Sequence, residues 1–436
     1  MKKNNAPKLS LLATHTAIPK KATKIEGLAE ISFPKMAIQA KRPRLNLAIA
    51  IDASGSMAVS SGGWPAIDHA KRATLSLLDR LDDDDRVAIV AYSGAARVLV
   101  ESMPVRNAKP LARQALAHLS ASGSTALHAG WLTAAQQAAP YAGDYDLSRV
   151  LLLSDGQATD GIVDEIQLAA EAEKLCGAGL STSTYGLGMN FNERLMTGMA
   201  VGGVARYAET ADTLVPYFEA DFAMLAQTVA RSVHLTLEAK DSKTGESLEV
   251  SLLGGGQEES GRWRLAAGVA GASSWAAFSV TAPAGADVSL SAKWRLVDLS
   301  GDAIELDDAV TLARGTGKAN KAVVARLDEA KAAKAAAAAA EAARRGDRVA
   351  TMAHLSNFRS LAGSSAYACA VSENFDALAA SGDLAALAKE TTYTSNAMFT
   401  RVVDADEKHD SLAKDRFGLR KVIQGKDAAD NAPASK

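Results

Sequence analysis

Short apolar runs alternate with amphipathic stretches between residue 44 and about residue 233. Runs of this kind are typical of strands that a parallel sheet buries on both faces. Between the first two runs, Ile67, Thr74 and Leu81 lie at helical spacing and predict a helix with one core-facing stripe. The alternation predicts an α/β fold with a doubly wound, mostly parallel sheet. The strand-like runs are residues 45–52, 87–92, 150–154 and 180–188.

A different pattern extends over residues 234–317, where apolar and polar residues alternate in runs separated by turn residues. It predicts an antiparallel β unit of sandwich-like form. Residues 1–43 contain two more strand-like segments, LSLLAT and AEISF, which cannot form a stable layer alone. Either they pair with residues 234–317, so that the α/β domain of residues 44–233 is an insertion, or they form an extended arm packed on that domain.

Alanine and charged residues dominate from residue 318 onward, and residues 329–347 are the strongest helix former in the chain. We therefore predict a helical region over residues 318–424. A partner-binding coiled coil is one interpretation of the alanine run, but few large residues stand at the spacing that such a seam requires, so packing within the chain is favoured. Residues 425–436 are polar and predict a disordered tail.

Composition limits the classes of function. The chain has 436 residues, enough for two or three folded units, and its formal net charge of -2 argues against a nucleic-acid partner. The sequence has no apolar stretch long enough to span a bilayer and no signal-peptide core at its N-terminus, so we expect a cytoplasmic protein without a membrane partner. Cys176 and Cys369 are far apart in the sequence. We therefore expect each of them to be a small buried residue.

Polar residues follow the first apolar run and recur in two later loops. The run ends in AIDASGSM, which places Asp52, Ser54 and Ser56 at the carboxyl end of a strand. The loop ASGSTALHAG supplies Thr125, and Asp155 follows the strand VLLLS. Because ligands of open α/β sheets bind beyond the carboxyl ends of the strands, these loops are expected to converge on an ion such as Mg²⁺, which prefers oxygen ligands. Alone, DASGSM is equally well a strand-to-helix turn capped by serine.

Together these residues resemble the metal-ion-dependent adhesion site (MIDAS) of the von Willebrand factor type A family. That site is built from DxSxS, a threonine in a GST or GGT loop and an aspartate in an SDG or TDG loop. The resemblance covers about residues 45–233. It implies that Ser54, Ser56 and Thr125 contact the ion, that Asp52 and Asp155 act directly or through water, and that the ion is Mg²⁺, with Mn²⁺ or Ca²⁺ as alternatives.

The resemblance implies a protein-binding module that is not an enzyme. Neutral hydroxyl ligands leave the charge of the ion largely unquenched, so an Asp or Glu of a partner protein can complete its coordination sphere. The family also suggests an adaptor or assembly factor, with a MoxR-type AAA+ ATPase or its client as the partner. Two alternatives stay open, a metal-dependent phosphatase or hydrolase with Asp52 as nucleophile and a structural subunit with a non-functional metal site.

Two other polar features carry less chemistry. His128, three residues after Thr125, is interpreted as a packing or rim residue, because it lies on a predicted helix beside an apolar stretch. The acidic run at residues 82–85 is interpreted as a solvated helix end.

Overall fold

The structure, a computed structural model, consists of an α/β domain, an antiparallel β unit and a C-terminal group of helices. It describes residues 6–35, 42–61, 64–155, 158–187, 192–208, 211–259, 262–362, 366–400 and 403–404. The predicted disordered tail, residues 425–436, lies outside the described residues. The α/β class with a doubly wound, mostly parallel sheet is confirmed, and the β and helical regions flank it.

Two N-terminal strands form a hairpin before the chain enters the α/β domain. They are β1 (Lys8–Ala13) and β2 (Lys24–Ser32), which pair in antiparallel register. Much of β2 is buried, including Ala29 and Ile31, which are fully covered. A strand buried to this degree needs a second neighbour beyond β1, and the β unit supplies it.

The α/β domain alternates strands and helices along the chain, as the hydrophobic pattern predicts. Among its described residues, the elements are β3 (Leu45–Asp52), β4 (Ser60–Ser61), β5 (Trp64–Pro65), α1 (Ala66–Arg80), β6 (Arg86–Tyr92), β7 (Ala96–Pro104), α2 (Val105–Ala117), α3 (Leu127–Ala138), β8 (Leu147–Ser154), α4 (Glu165–Gly177), β9 (Leu180–Leu187), α5 (Glu193–Met199), β10 (Gly202–Ala208) and α6 (Ala211–Ala226).

β3 lies near the centre of a six-stranded sheet with the strand order β10-β9-β8-β3-β6-β7. Every residue of β3 is buried, because the parallel strands β6 and β8 flank it and helices cover both faces. The chain passes from β3 to β6 on one side and later returns to β8 on the other. A topological switch point therefore lies at the carboxyl end of β3, where Asp52 is the last residue.

Helices cover the two faces of this sheet in two separate cores. The core on one face includes Leu77 of α1 and Leu214 of α6. The core on the other face includes Trp131 of α3, Leu168 of α4 and Met196 of α5. The loops that follow β3 and β8 therefore lead to helices on opposite faces of the sheet.

The β unit joins the N-terminal hairpin to the strands that follow the α/β domain. β2 pairs antiparallel with a later strand of the unit, β16 (Ala272–Thr281), from Lys24 opposite Thr281 to Ser32 opposite Ser273. This pairing is the first of the two arrangements considered above, in which the α/β domain interrupts the β unit. The later strands are β11 (Thr228–Asp241), β12 (Ser247–Gly254), β13 (Gln257–Glu259), β14 (Arg262–Leu265), β15 (Gly268–Val269), β16 (Ala272–Thr281), β17 (Val288–Asp298), β18 (Ala303–Leu312) and, after the helices, β19 (Val403–Asp404).

The alanine-rich segment forms a long helix that is covered on two sides. Leu327 packs with Trp275 of the β unit, whereas Ala336 packs with Phe358 of the next helix. Alanine suits this position because it lets neighbouring elements approach closely while favouring the helix. No helix among the described residues is both long and apolar enough to cross a membrane. The helices are α7 (Lys321–Arg344), α8 (Arg348–Ala362), α9 (Ala366–Ser381) and α10 (Leu384–Thr400).

The C-terminal helices also contact the α/β domain. Tyr393 of α10 belongs to the same core as α3 and α4, and its ring centre lies 5.9 Å from that of Tyr207 in β10. Arg344 at the end of α7 forms a 2.9 Å ion pair with Glu193 at the start of α5. The helical region is therefore packed against the domain that carries the candidate site.

The acidic run after α1 contains one buried carboxylate. Asp85 is 1% exposed, accepts hydrogen bonds from the backbone N–H groups of Leu45 at 2.8 Å and Asp82 at 2.9 Å, and pairs with Arg42. The interpretation of residues 82–85 as a solvated helix end is therefore wrong for Asp85. This carboxylate instead ties the entry to β3 to the end of α1.

Replacing Asp85 with Ala should lower the free energy of unfolding by about 3 kcal/mol, because it leaves buried N–H groups and the Arg42 guanidinium without their acceptor. Asp83→Ala is the matched control, since Asp83 is exposed in the same run, and it should change stability by less than about 0.5 kcal/mol. Urea unfolding of both variants measures the difference. Equal stabilities would contradict the role given to Asp85.

The two cysteines are less buried than the sequence analysis predicts. Cys176 on α4 is partly buried, and Cys369 on α9 is exposed. The prediction rested on the frequent burial of free cysteine, a tendency that does not decide which side of a helix a particular residue occupies.

Candidate functional site

Asp52 organises the loop that follows β3. Its side chain is fully buried, and one carboxylate oxygen accepts a hydrogen bond from the backbone N–H of Ser54 at 2.8 Å. The other oxygen accepts a hydrogen bond from the Ser154 hydroxyl at 2.7 Å. Asp52 thus fixes the turn that presents Ser54 and Ser56 and joins it to the end of β8.

A chain of side-chain hydrogen bonds runs from Ser54 through Ser56 to Asp155. The two serine Oγ atoms are 3.0 Å apart, and the Ser56 hydroxyl donates to Asp155 Oδ1 at 2.9 Å. A hydroxyl has a single hydrogen and that of Ser56 is used by Asp155, so a hydrogen bond between the two serines would have Ser54 as its donor, and the Ser54 hydroxyl is also a hydrogen-bond partner of Asp52. Each serine oxygen retains a lone pair that a cation could use.

The loop that carries Thr125 is held against the same turn by backbone hydrogen bonds. Gly55 N–H donates to Gly123 O at 2.9 Å, and Ser122 N–H donates to Ala53 O at 2.7 Å. Gly123 has a φ of +85°, a conformation that side chains disfavour, which explains the glycine in ASGST. Thr125 itself is buried.

A second pair of hydrogen bonds joins Thr125 to the loop that follows Asp155. The N–H of Thr125 donates to the Thr159 hydroxyl at 3.0 Å, and the N–H of Thr159 donates to Thr125 O at 2.9 Å. The structure thus places all five predicted residues in one cluster of loops. Asp52, Ser54, Ser56 and Asp155 are linked through side chains, whereas Thr125 is linked to the cluster through its backbone.

The two carboxylates of the cluster are buried close to each other. Burial, together with the nearby Asp52 carboxylate, raises the pKa of Asp155 to about 6, although the hydrogen bond from Ser56 lowers it. Burial likewise raises the pKa of Asp52. No Lys or Arg in the described part of the chain forms an ion pair with either carboxylate. The two carboxylates therefore have no cationic partner in the described part of the chain.

This chemistry fits a hard divalent cation. Hydroxyl and carboxylate oxygens are the ligands that such ions prefer, and the unneutralised carboxylates would gain from a positive charge. Among the described residues, no group of three or more His, Cys, Asp or Glu side chains is arranged so that it could hold a metal ion. An ion in this cluster would therefore have mainly hydroxyl ligands, from Ser54, Ser56 and Thr125, with Asp52 and Asp155 beside them.

Three supporting residues were not predicted from the sequence. Ser154 binds Asp52, and Thr159 binds Thr125, as described above. The hydroxyl of Tyr92, at the end of β6, donates to Leu153 O at 3.1 Å. Ser154 could have been found, because it directly precedes Asp155 in the SDG sequence, but the roles of Thr159 and Tyr92 depend on how the loops and strands lie beside one another.

His128 forms a hydrogen bond with Glu171, which is not one of the five predicted site residues. Its Nε2 atom lies 2.9 Å from the Glu171 carboxylate on α4, and this hydrogen bond holds the pKa of Glu171 below its usual value. The position accords with the packing or rim role that the sequence suggests.

Comparison with known proteins identifies the α/β domain. Residues 46–230 match the family model of the von Willebrand factor type A domain. The chain contains a von Willebrand factor type A (VWA) domain.

Curated relatives share this part of the chain. The uncharacterized protein sll0103 of Synechocystis sp. (strain PCC 6803) is 31% identical over 201 residues, which are 45% of this chain and 46% of that protein. YfbK of Escherichia coli (strain K12) is 31% identical over 199 residues, which are 45% of this chain and 34% of that protein. The match thus spans less than half the length of either relative.

A solved structure resembles the chain beyond the VWA domain. The von Willebrand factor type A protein from Catenulispora acidiphila superposes with a TM-score of 0.68 over 92% of this chain and 99% of its own, at 18% sequence identity. At this identity the likeness concerns the fold alone. That fold includes the units that flank the VWA domain.

Proposed function

We propose that this chain is a metal-ion-dependent protein-binding module, an adaptor or assembly factor, with a MIDAS formed by Asp52, Ser54, Ser56, Thr125 and Asp155. The observation that carries the proposal is the hydrogen-bonded chain from Ser54 through Ser56 to Asp155, which gathers neutral oxygen ligands beside two buried carboxylates. Mg²⁺ is the proposed ion because it accepts oxygen ligands and keeps coordination positions for exchangeable groups, with Mn²⁺ or Ca²⁺ as alternatives.

A bound ion would supply an electrophilic position that the carboxylate of a partner protein can fill. The residues of this chain prepare that position. Asp52 holds the serine turn in place, and the hydroxyls of Ser54, Ser56 and Thr125 bind without adding negative charge. The proposed partner is a protein that presents an Asp or Glu, and the family resemblance suggests a MoxR-type AAA+ ATPase or its client, in the cytoplasm and without nucleic acid or membrane.

We favour binding over catalysis for this site. A hydrolase with Asp52 as nucleophile would need a general acid or base within hydrogen-bonding distance of the reacting groups. Among the described residues, the side chains that hydrogen-bond to Asp52 are those of Ser54 and Ser154, and a hydroxyl is a poor general acid or base near neutral pH. His128 is occupied by Glu171.

Mn²⁺ added to the EDTA-treated protein should bind at one site and raise the relaxation rate of water protons, because the ion keeps water among its ligands. Acetate should then lower this enhancement by displacing water, whereas the uncharged acetamide should not. Calorimetry with Mg²⁺ measures the affinity of the ion that we propose. Bound Mn²⁺ that ignores acetate would contradict carboxylate capture, and absent Mn²⁺ binding would contradict the metal site itself.

A further inference from the structure

An open groove of about 370 Å³ lies on the surface of the VWA domain, between α4 and the start of α5. One stripe of α4 forms its floor, because residues three or four positions apart lie on the same side of a helix. Ile166 in this stripe is 81% exposed, although burial of such a side chain is favourable. The described part of the chain therefore leaves an apolar surface uncovered here. The groove is lined by Glu165, Ile166, Ala169, Ala170, Glu173 and Arg194.

The charges around this groove favour a basic occupant. Arg194 is already paired with Glu165 at 3.4 Å. Glu173 is 52% exposed, and its ion-pair partner Arg264 is 3.9 Å away. Acidic residues outnumber basic ones on α4, on the loop before it and at the edge of the groove, so a positively charged segment is the complementary ligand. These charged residues are Asp160, Asp164, Glu165, Glu171, Glu173, Lys174 and Arg194.

The chain itself contains a segment of complementary composition. Residues 405–436 lie outside the described residues, and all their large apolar residues fall within residues 412–423. The same stretch has four basic residues and one acidic residue, Asp415. We call residues 412–423 the basic segment. Its large apolar residues are Leu412, Phe417, Leu419, Val422 and Ile423, and its basic residues are Lys414, Arg416, Arg420 and Lys421.

The position of β19 allows the basic segment to reach the groove. β19 pairs with the first two residues of β16. Directly after them, the Ser274 hydroxyl donates to Ala266 O at 3.1 Å. Arg264, two residues before Ala266, is the residue that contacts Glu173 of the groove. Leu419 follows β19 by 15 residues, and an extended chain of that length spans about 50 Å.

A second exposed apolar patch suits the basic segment less well. Val349 and Met352 on α8 are 83% and 44% exposed. Residues 345–348 beside them are two arginines, a glycine and one aspartate, so acidic residues are not in excess there. The excess of acidic residues therefore distinguishes the groove on α4 from the patch on α8.

We propose that the basic segment docks in the groove between α4 and α5 of the same chain. Its large apolar side chains cover Ile166, and its basic side chains lie beside Glu173 and the other acidic residues of α4. Because segment and groove belong to one chain, their effective concentration is high and a weak contact is enough to hold them together. A partner protein could use this groove only after displacing the basic segment. The docking does not depend on the proposed metal site.

Hydrogen–deuterium exchange of the full chain tests this docking. In the wild type, the amides of residues 412–423 should exchange at least about tenfold more slowly than the same amides in a synthetic peptide of residues 405–424, because docked amides exchange only when the contact opens. The slowing should decrease in 0.5 M NaCl, since salt screens exposed charges. Both measurements use the purified chain without any partner.

Variants on the groove and on the basic segment locate the contact. Ile166→Ser should accelerate exchange of residues 412–423 about tenfold, as the loss of one buried apolar side chain would produce, and Glu173→Gln about two- to threefold. Val349→Ser is the matched control, because Val349 is as exposed as Ile166 but lies on α8. Phe417→Ser with Leu419→Ser should in turn accelerate exchange at the start of α4. Unchanged exchange in β3 and β8 verifies that each variant is folded.

Exchange of residues 412–423 as fast as in the peptide would overturn the docking. Slow exchange that Val349→Ser accelerates and Ile166→Ser does not would place the basic segment on α8, and slow exchange that neither variant changes would also exclude the groove. If slow exchange occurred only in a dimer, identified by sedimentation velocity and lost on dilution, the basic segment would bind a second copy of the chain, and docking within one chain would be wrong.

Discussion

Ser54→Ala combined with Ser56→Ala should weaken binding of Mg²⁺ and Mn²⁺ by more than about 100-fold. Loss of groups that only support metal ligands commonly costs about 10- to 100-fold in affinity, and these hydroxyls are proposed as ligands themselves. Ser56 also donates the hydrogen bond that positions Asp155, so its removal disturbs the carboxylate as well. Calorimetry with Mg²⁺ and relaxation measurements with Mn²⁺ give the two affinities.

The fold should survive this double substitution. Ser54 and Ser56 lie beyond the last residue of β3, outside the cores that β6 and β8 build. Ser289→Ala with Ser291→Ala is a matched control, because these serines have the same spacing on β17 and are partly buried. Both double variants should unfold in urea within about 1 kcal/mol of the wild type. Unchanged ion binding in the first variant would place the ion elsewhere.

The central strands of the VWA domain could be predicted because a strand that is buried on both faces has a continuous run of apolar residues. Ala48, Ile49 and Ala50 in β3 are all fully buried, whichever face they point to, so the strand is apolar without alternation. The helices between the strands show one apolar stripe each, because only one side of each meets the sheet. Sheet order and helix placement then follow from general rules for α/β folds.

Features that depend on distant parts of the chain were harder to predict. From the sequence, Asp85 is interpreted as solvated because three other acidic residues precede it. In the structure its partners are Leu45 and Arg42, which lie 40 and 43 positions away along the chain. The edge strand β7 likewise pairs with β6 in antiparallel register, against the parallel pattern. The sequence of a segment does not show which distant segment it contacts in the folded chain.

The five residues of the candidate site were easier to predict than the residues that hold them in place. Asp52, Ser54, Ser56, Thr125 and Asp155 could be proposed together because the carboxyl ends of parallel strands meet at one edge. Whether they hold an ion in this chain stays a prediction. The contact between Tyr92 and Leu153 could not be proposed in the same way. It requires Gly130 in α3, since a Cβ there would lie 2.2 Å from the tyrosine ring, and only the packed structure brings the two together.

Asp155→Asn should raise the free energy of unfolding in EDTA by about 1 to 2 kcal/mol and weaken Mg²⁺ binding at least about tenfold. The amide removes a negative charge that is buried near Asp52, while its carbonyl oxygen can still accept the hydrogen bond from Ser56. If Asp155 serves an ion, we expect its carboxylate to reduce the stability of the metal-free fold and a bound ion to offset that loss.

The stability advantage of Asp155→Asn should therefore shrink when Mg²⁺ is added. At an Mg²⁺ concentration 100 times the dissociation constant, binding stabilises the wild type by about 2.7 kcal/mol, whereas the variant, with its weaker site, gains less. The wild type should thus unfold before Asp155→Asn in EDTA, and a tenfold weaker site in the variant should narrow this difference by about 1.3 kcal/mol at that Mg²⁺ concentration. Asp160→Asn is the control on the same loop, where Asp160 is exposed and binds Ser124, and it should show the same Mg²⁺ stabilisation as the wild type. If Asp155→Asn were less stable than the wild type in EDTA and equally stabilised by Mg²⁺, the carboxylate would serve the fold, and its place beside a metal ion would have to be abandoned.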